Sequence, residues 1–384
     1  MRIKSALGFV LIIGIVNLFA DLTYEGARGI VGPFLGSLGA SAAVVGFVGG
    51  FGELIGYALR SVSGYFADKT RNYWLFAFTG YAINMLAVPA LALTGQWPLA
   101  AAFVFAERAG RGIRKPTVEA MLSHAGRSIG AGWAFGLNEA LDQVGATIGP
   151  LFVALILFLK GGYRTGFGML LIPALICLGA LVAARLIHPR PQDLEPPAEQ
   201  IGAIGHLARP YWLYLGGGAL IAGGMADFAL IGFHFQKAHT ISPNLIPVFY
   251  AVAMATSALT AILFGRLFDK FGAHVALLAF LISAAFAPLV FLGGSLLALI
   301  GMTFWGIGMS AQGSLFQAML TGVIPAEKRS TAFGLFDTGY GIAWFLGSAA
   351  MGLLYDKSIP AVVLLSVLLQ IAALPVLYIA NRRR

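Results

Sequence analysis

Between Glu107 and Pro150 the chain carries Glu107, Arg108, Arg111, Arg114, Lys115 and Glu119, then Asn138, Glu139 and Asp142, all flanked by long apolar runs. The stretch closes on Gly145-Ala-Thr-Ile-Gly149-Pro150. An earlier apolar run adds Asp21, Glu25 and Arg28, spaced i, i+4 and i+7 and therefore on one helical face. A charge near a bilayer centre costs at least ~2.5–3.5 kcal/mol on insertion scales, so it persists where it is paired or lines an aqueous cavity. The chemistry open to such a set is proton exchange. Burial and a neighbouring guanidinium act on a carboxylate in opposite directions, and small rearrangements then swing it between charged and neutral. The plain alternative is a set of static ion pairs, which stabilise weakly compared with apolar packing.

The elements holding these residues must be membrane spans. Apolar residues make up 59% of the 384 and charged residues 11%, against roughly 25% charged in a soluble domain. Gly is abundant inside apolar runs (Gly46, Gly49, Gly50, Gly52, Gly56), where small residues let transmembrane helices approach closely. The single Cys177 rules out a disulfide framework and a Cys-based metal site. No Gly-x-x-x-x-Gly-Lys-Ser/Thr loop or His-Glu-x-x-His pattern appears, which argues against ATP-driven transport and zinc hydrolysis. Neither an enzyme nor a nucleic-acid partner is expected. The +9 net charge is distributed between hydrophobic segments and at the ends.

Runs of about 20 apolar residues span a bilayer. Cutting at turn signals predicts twelve transmembrane helices, near 6–36, 42–66, 73–95, 97–121, 130–159, 164–187, 211–237, 244–268, 273–293, 295–321, 330–355 and 359–380. The polar, proline-rich stretch from His188 to Arg209 reads as a cytoplasmic linker between residues 1–187 and 210–384. With the N-terminus inside, fifteen of the 25 Lys and Arg fall on the cytoplasmic side and four on the other, so both termini are expected in the cytoplasm. The halves repeat each other. Gly64-Tyr-Phe-Ala-Asp68-Lys69 matches Gly265-Arg-Leu-Phe-Asp269-Lys270, Phe135-Gly136-Leu137 matches Phe333-Gly334-Leu335, and Ala20-Asp21 matches Ala226-Asp227. The fold class expected is an all-α integral membrane protein of two pseudo-symmetric six-helix bundles.

On these motifs the chain resembles the major facilitator superfamily. Gly64-x-x-x-Asp68-Lys69-x-Arg71, and its copy through Gly265, Asp269 and Lys270, are similar to the family's loop motif after helix two, which tethers the halves at the cytoplasmic gate. Arg108-x-x-Arg111-Gly112 resembles the Arg-x-x-Gln-Gly motif, whose first Arg is implicated in proton transfer in proton-coupled members. Gly136-x8-Gly145-x3-Gly149-Pro150 resembles the antiporter motif but ends Val153-Ala154 in place of Gly-Gly. That resemblance implies export in exchange for protons; a Gly-faced helix packing on a neighbour is the plain reading of the same glycines.

The expectations are therefore these. Asp21, Glu25, Arg108, Glu139 and Asp142 form a proton-coupling network, with Arg28, Glu53, Arg111, Asn138, Asp227, Gln312, Asp337, Tyr340 and Trp344 lining a substrate cavity. Arg114 and Lys115 snorkel or lock the cytoplasmic gate with Gly64, Asp68, Lys69, Gly265, Asp269 and Lys270. His234 is either a proton site or, nearer the outer end, a solvated residue. Parallel six-helix repeats place a substrate site at their interface. The reading expects an inner-membrane monomer that exports a small amphipathic compound, with protons and membrane lipids as partners. No cofactor is expected, the proton gradient being the energy source. Uptake of an organic anion or sugar through Arg28, Arg108 and Arg111, and a lipid-translocating protein or receptor on the same fold, are the competing readings.

Overall fold

The computed structural model describes residues 2–70, 72–129, 131–190, 209–321 and 329–382. Every regular element among them is helical. In chain order these are α1 (Arg2–Ser37), α2 (Ala42–Thr70), α3 (Tyr73–Ala90), α4 (Trp97–Ile129), α5 (Ala131–Phe158), α6 (Tyr163–Met169), α7 (Leu171–Ile187) and α8 (Arg209–Gly224). There follow α9 (Phe228–Lys237), α10 (Ile246–Phe271), α11 (His274–Ala284), α12 (Phe286–Leu292), α13 (Ser295–Ser310), α14 (Phe316–Thr321), α15 (Arg329–Tyr355) and α16 (Ile359–Arg382). Leu170 separates α6 from α7 and Ala285 separates α11 from α12, while a π-helical stretch, Ala311–Leu315, joins α13 to α14. With α8 and α9 taken together, the described residues make twelve rods, and ten of these are long and apolar enough to cross a membrane. Of the other two, α4 is 33 residues long and crowded with charge, and α15 carries Asp337 among Gly and Thr.

The surface is the reverse of a soluble protein's. Leu93, Leu159, Leu186 and Leu296 are each more than two-thirds exposed, whereas Asp21, Arg28, Glu53, Arg108 and Arg114 are buried. A bilayer offers Leu a solvent and a charge none, so the helices turn their ionisable faces inward.

The chain forms two compact units, Met1–Ile30 with Ile55–Gln200, and Val31–Leu54 with Ile201–Arg384. The first has a core of Phe9, Ile13, Val16, Trp74, Tyr81, Met121, Cys177 and Leu181, drawn from α1, α3, α4 and α7. In the second, the seventh expected span is interrupted at residues 225–227, between α8 and α9. Side chains answer two of the carbonyls at the break: Ser366 Oγ and Gln370 Nε2 donate to Gly224 O (2.6 and 3.3 Å), and Trp305 Nε1 donates to Ala226 O (3.0 Å). Asp227 Oδ1 accepts from Ala229 N at 2.9 Å and caps α9. Discontinuous helices survive at membrane depth when neighbouring side chains satisfy the freed backbone in this way.

Within the first unit, α5 lies directly on α1. A Cβ on Gly149 would collide with Leu22 O and stand 2.9 Å from Gly26 N, and one on Gly145 would collide with Leu18 O and stand 3.1 Å from Asp21 Cβ. The neighbours are mostly backbone and have no room to yield. Gly149→Leu is expected to cost about 1–3 kcal/mol by overpacking and to lower the unfolding temperature in detergent. Gly8→Leu, on α1 where nothing lies within 4 Å of the added Cβ, should leave it unchanged.

Candidate functional site

The first unit holds a buried polar network whose centre is Arg114, 6% exposed. Its Nε donates to Asn84 Oδ1 (3.2 Å) on α3, its Nη1 donates to Asn17 Oδ1 (3.2 Å) on α1, and its Nη2 lies 3.6 Å from Asp21 Oδ1. The guanidinium carbon sits 4.6 Å from the centre of the Tyr81 ring and 5.7 Å from that of Tyr24, so both rings support the cation. Arg presents five donors and no acceptor, and here three of its nitrogens face amide or carboxylate oxygens from two other helices.

The network extends from there. Tyr81 Oη also donates to Asn17 Oδ1, and Asn17 Nδ2 donates to Asn138 Oδ1 (2.8 Å) on α5. Asn138 Nδ2 donates to Asp142 Oδ2 (3.2 Å), four residues on. On the other side Asn84 Nδ2 donates to Glu107 O (3.1 Å) and Glu107 Oε1 (2.9 Å). Helices α1, α3, α4 and α5 are thus joined by side chains alone. The glycine contacts of α5 on α1 set Asp21 beside Gly145, three residues beyond Asp142.

This places Arg114 otherwise than a snorkelling residue: it is buried, with its partners on α1 and α3. Glu107 and Arg111 lie on its face of α4, seven and three residues before it, and that face meets α1 and α3, which supply the acceptors phosphate would have offered. Arg108, expected beside Asp21, lies six residues before Arg114, about one-third of a turn off that face, and its Nε is 3.4 Å from Glu107 Oε2. Arg111 stacks over Tyr24 at 4.9 Å. Glu25 and Arg28 are buried and 4.0 Å apart. Glu139 is exposed and accepts from Gln143 Nε2 at 2.8 Å, off the network. Lys115 is half-exposed, 3.9 Å from Glu119. Asn17, Tyr24, Tyr81 and Asn84 were not singled out from sequence as members; the available signal was a polar side chain interrupting an apolar run.

The remaining expected residues are dispersed. Glu53 is buried on α2. Gly145 and Gly149 are packing contacts, and Pro150 is buried beside them. Gly64 would place a Cβ 3.4 Å from Pro116 of α4, Lys69 Nζ lies 5.7 Å over the Tyr65 ring, and Lys270 Nζ lies 5.2 Å over that of Phe271. The surroundings of Asp68, Gly136, Gly265 and Asp269 lie outside the described residues, as does most of the linker. In the second unit Asp227 is a helix cap, which is why it sits at the break and not on a helix face. His234, for which a proton site and a solvated residue were the two readings, is 2% exposed and so not solvated, with Nδ1 3.0 Å from Tyr355 Oη and its ring against Phe291. Gln312 stands in the π-helical stretch, a distortion frequent at functional sites. Asp337 is half-buried, and Phe336, Tyr340 and Trp344 of α15 form a ring ladder with centroids 6.0 and 6.1 Å apart.

Breaking a buried ion pair from one side costs about 3–5 kcal/mol. Arg114→Met is expected to destabilise by that order in denaturant unfolding. Arg114→Lys should lose less because the charge opposite Asp21 is kept, but not nothing, since one ammonium cannot reach Asn84, Asn17 and Asp21 together. Adding Asp21→Asn to Arg114→Met should restore part of the loss.

The family model described as Major Facilitator Superfamily matches residues 13–348 and 219–384. An uncharacterized protein of Mycobacterium tuberculosis is 37% identical over 383 residues, covering 97% of this chain and 93% of that protein. An uncharacterized MFS-type transporter of Methanocaldococcus jannaschii is 26% identical over 371 residues, 91% of this chain and 89% of that one. Among solved structures, peptide transporter POT in complex with sulfate has a TM-score of 0.78 at 15% identity, covering 97% of this chain and 94% of that one. Nucleoside transporter NupG has a TM-score of 0.74 at 11% identity, with 97% and 98% covered. At such identities these two structures speak to the fold alone.

Proposed function

The chain belongs to the major facilitator superfamily and is a multi-pass membrane transporter, and we propose that it is a proton-coupled exporter of a small amphipathic organic compound working by alternating access. The observation that carries the coupling is the buried Asp21–Arg114 contact at 3.6 Å, tied through Asn17 and Asn138 to Asp142. A carboxylate so placed holds Arg114 when charged and releases it when protonated, which is a two-state element of the sort that alternation requires. The second unit supports an amphipathic cargo. Tyr340, Trp344 and Phe336 offer stacked ring surface, and the amide of Gln312 and the carboxyl of Asp337 offer polar contacts. The antiporter-like glycines of α5 support exchange over uptake, and the Lys and Arg distribution supports an inner-membrane orientation with both termini cytoplasmic.

In proteoliposomes carrying an imposed pH gradient, candidate amphipathic compounds should move against the proton flux and dissipate the gradient only when present. Asp21→Asn and Asp142→Asn should each abolish that coupling. Substrate flux indifferent to collapse of the gradient would sink the proton-coupled reading.

A further inference from the structure

Resting on that reading, we propose that Asn17 and Asn138 are positioning residues that carry the charge state of Asp142 to Arg114, making Asp21 and Asp142 one coupled pair. The two amides permit only one arrangement. The guanidinium has no acceptor, so the Asn17 atom facing Arg114 Nη1 must be its oxygen, which Tyr81 Oη also addresses. Asn17 Nδ2 is thereby turned to Asn138 Oδ1, and Asn138 Nδ2 in turn to Asp142 Oδ2. Amide orientation is ordinarily a choice between two flips; here each link is set by the one before it.

Every hydrogen in the chain therefore points from Arg114 toward Asp142. Hydrogen bonds aligned head to tail polarise one another, more so in a low-dielectric interior. The far oxygen of the carboxyl, Asp142 Oδ1, is buried and has no hydrogen-bond partner among the described residues. A buried carboxylate oxygen without a donor is costly, so Oδ1 is the atom that takes the proton, and Oδ2 is the atom through which the network reads it. Protonation weakens the pull on Asn138 Nδ2, and with it the polarisation of Asn17 against Arg114. The guanidinium then shifts its hold toward Asp21.

Charge reaches this pair from each packed helix. Asp21, Glu139, Arg114 and Lys115 act on Asp142, and Arg114, Glu25, Arg111 and Glu139 act on Asp21. Tyr24 and Arg28 lie on α1, Tyr81 on α3, and Glu107 and Arg108 on α4. The thiol of Cys177 donates to Val16 O (3.3 Å) from α7. The amide pair is the direct hydrogen-bonded route between Asp142 and Arg114 among the described residues.

The test is the unfolding temperature of purified protein in detergent as a function of pH, over about pH 5 to 9, since a group that titrates differently in folded and unfolded chains leaves a step in that profile. Asp142→Asn should remove a step. Asn138→Leu should move that step to higher pH by about one unit, because an N–H donated to a carboxylate favours its charged form. In the double variant Asn138→Leu should move nothing further. Asn17→Leu, which cuts the chain one link earlier, serves as the independent variant if Asn138→Leu does not fold. If either Leu variant lowers stability equally at every pH with the step unmoved, the amides are structural and the proposal falls while the coupling reading stands. If Asp142→Asn and Asp21→Asn both leave the profile as in the parent, the coupling reading falls and takes this proposal with it.

Discussion

The structure of the first unit depends on the burial of one guanidinium. Arg114 brings five donors into a place with no water, and each unsatisfied donor there would cost as much as a lost hydrogen bond or more. Four helices answer the demand. Asn17 and Asp21 come from α1 and Asn84 and Tyr81 from α3, with Glu107 of the preceding turns of α4 and Asn138 of α5 each at one remove. Each of these polar groups is itself tolerable in the membrane because Arg114 or a neighbour satisfies it. The arrangement is mutual, so removing the cation strands the acceptors as surely as removing the acceptors strands the cation.

The second unit meets the same membrane constraint by another route. Its buried polar centre is built on the broken helix α8/α9, where backbone carbonyls are answered by Ser366, Gln370 and Trp305, and Ser283 Oγ donates to Gln370 Oε1 at 3.2 Å. Four helices again converge, but the groups doing so are amides, hydroxyls, an indole and main chain. The repeat visible between the halves has thus diverged in chemistry while Asp21 and Asp227 keep matching places. One became half of a buried ion pair and the other a helix cap.

Much of this was legible in the sequence. The apolar runs announced the spans to within a few residues, because length and hydropathy are properties of a segment and need no partner. The grouping of Asp21 with Asp142 followed from the cost of a charge in lipid, whereas Asn138 was assigned to a substrate cavity. What was not legible was direction. Arg114 stands before Lys115-Pro116 near the end of a span, the usual place for a snorkelling residue, and only the rotation of α4 shows that it faces inward while Lys115 faces out. Asn17 and Asn84 are lone polar residues in apolar runs, and their role depends on which helix lies opposite. The break at residues 225–227 escaped because Gly-Gly-Met-Ala-Asp is also what a close-packed helix would read, and the side chains that answer its carbonyls lie 79 to 146 residues away.

The glycines where α5 lies on α1 bear on mechanics. With Gly145 and Gly149 set against the main chain of Leu18, Leu22 and Gly26, the two helices have no side-chain cushion between them. Sliding one past the other would drive backbone into backbone. Main-chain contact of this kind resists relative sliding of α5 and α1 beside Asp21. The contacts of α1 and α5 with α3 and α4 are made through side chains, where rotamers can adjust, and are the softer joints of the unit.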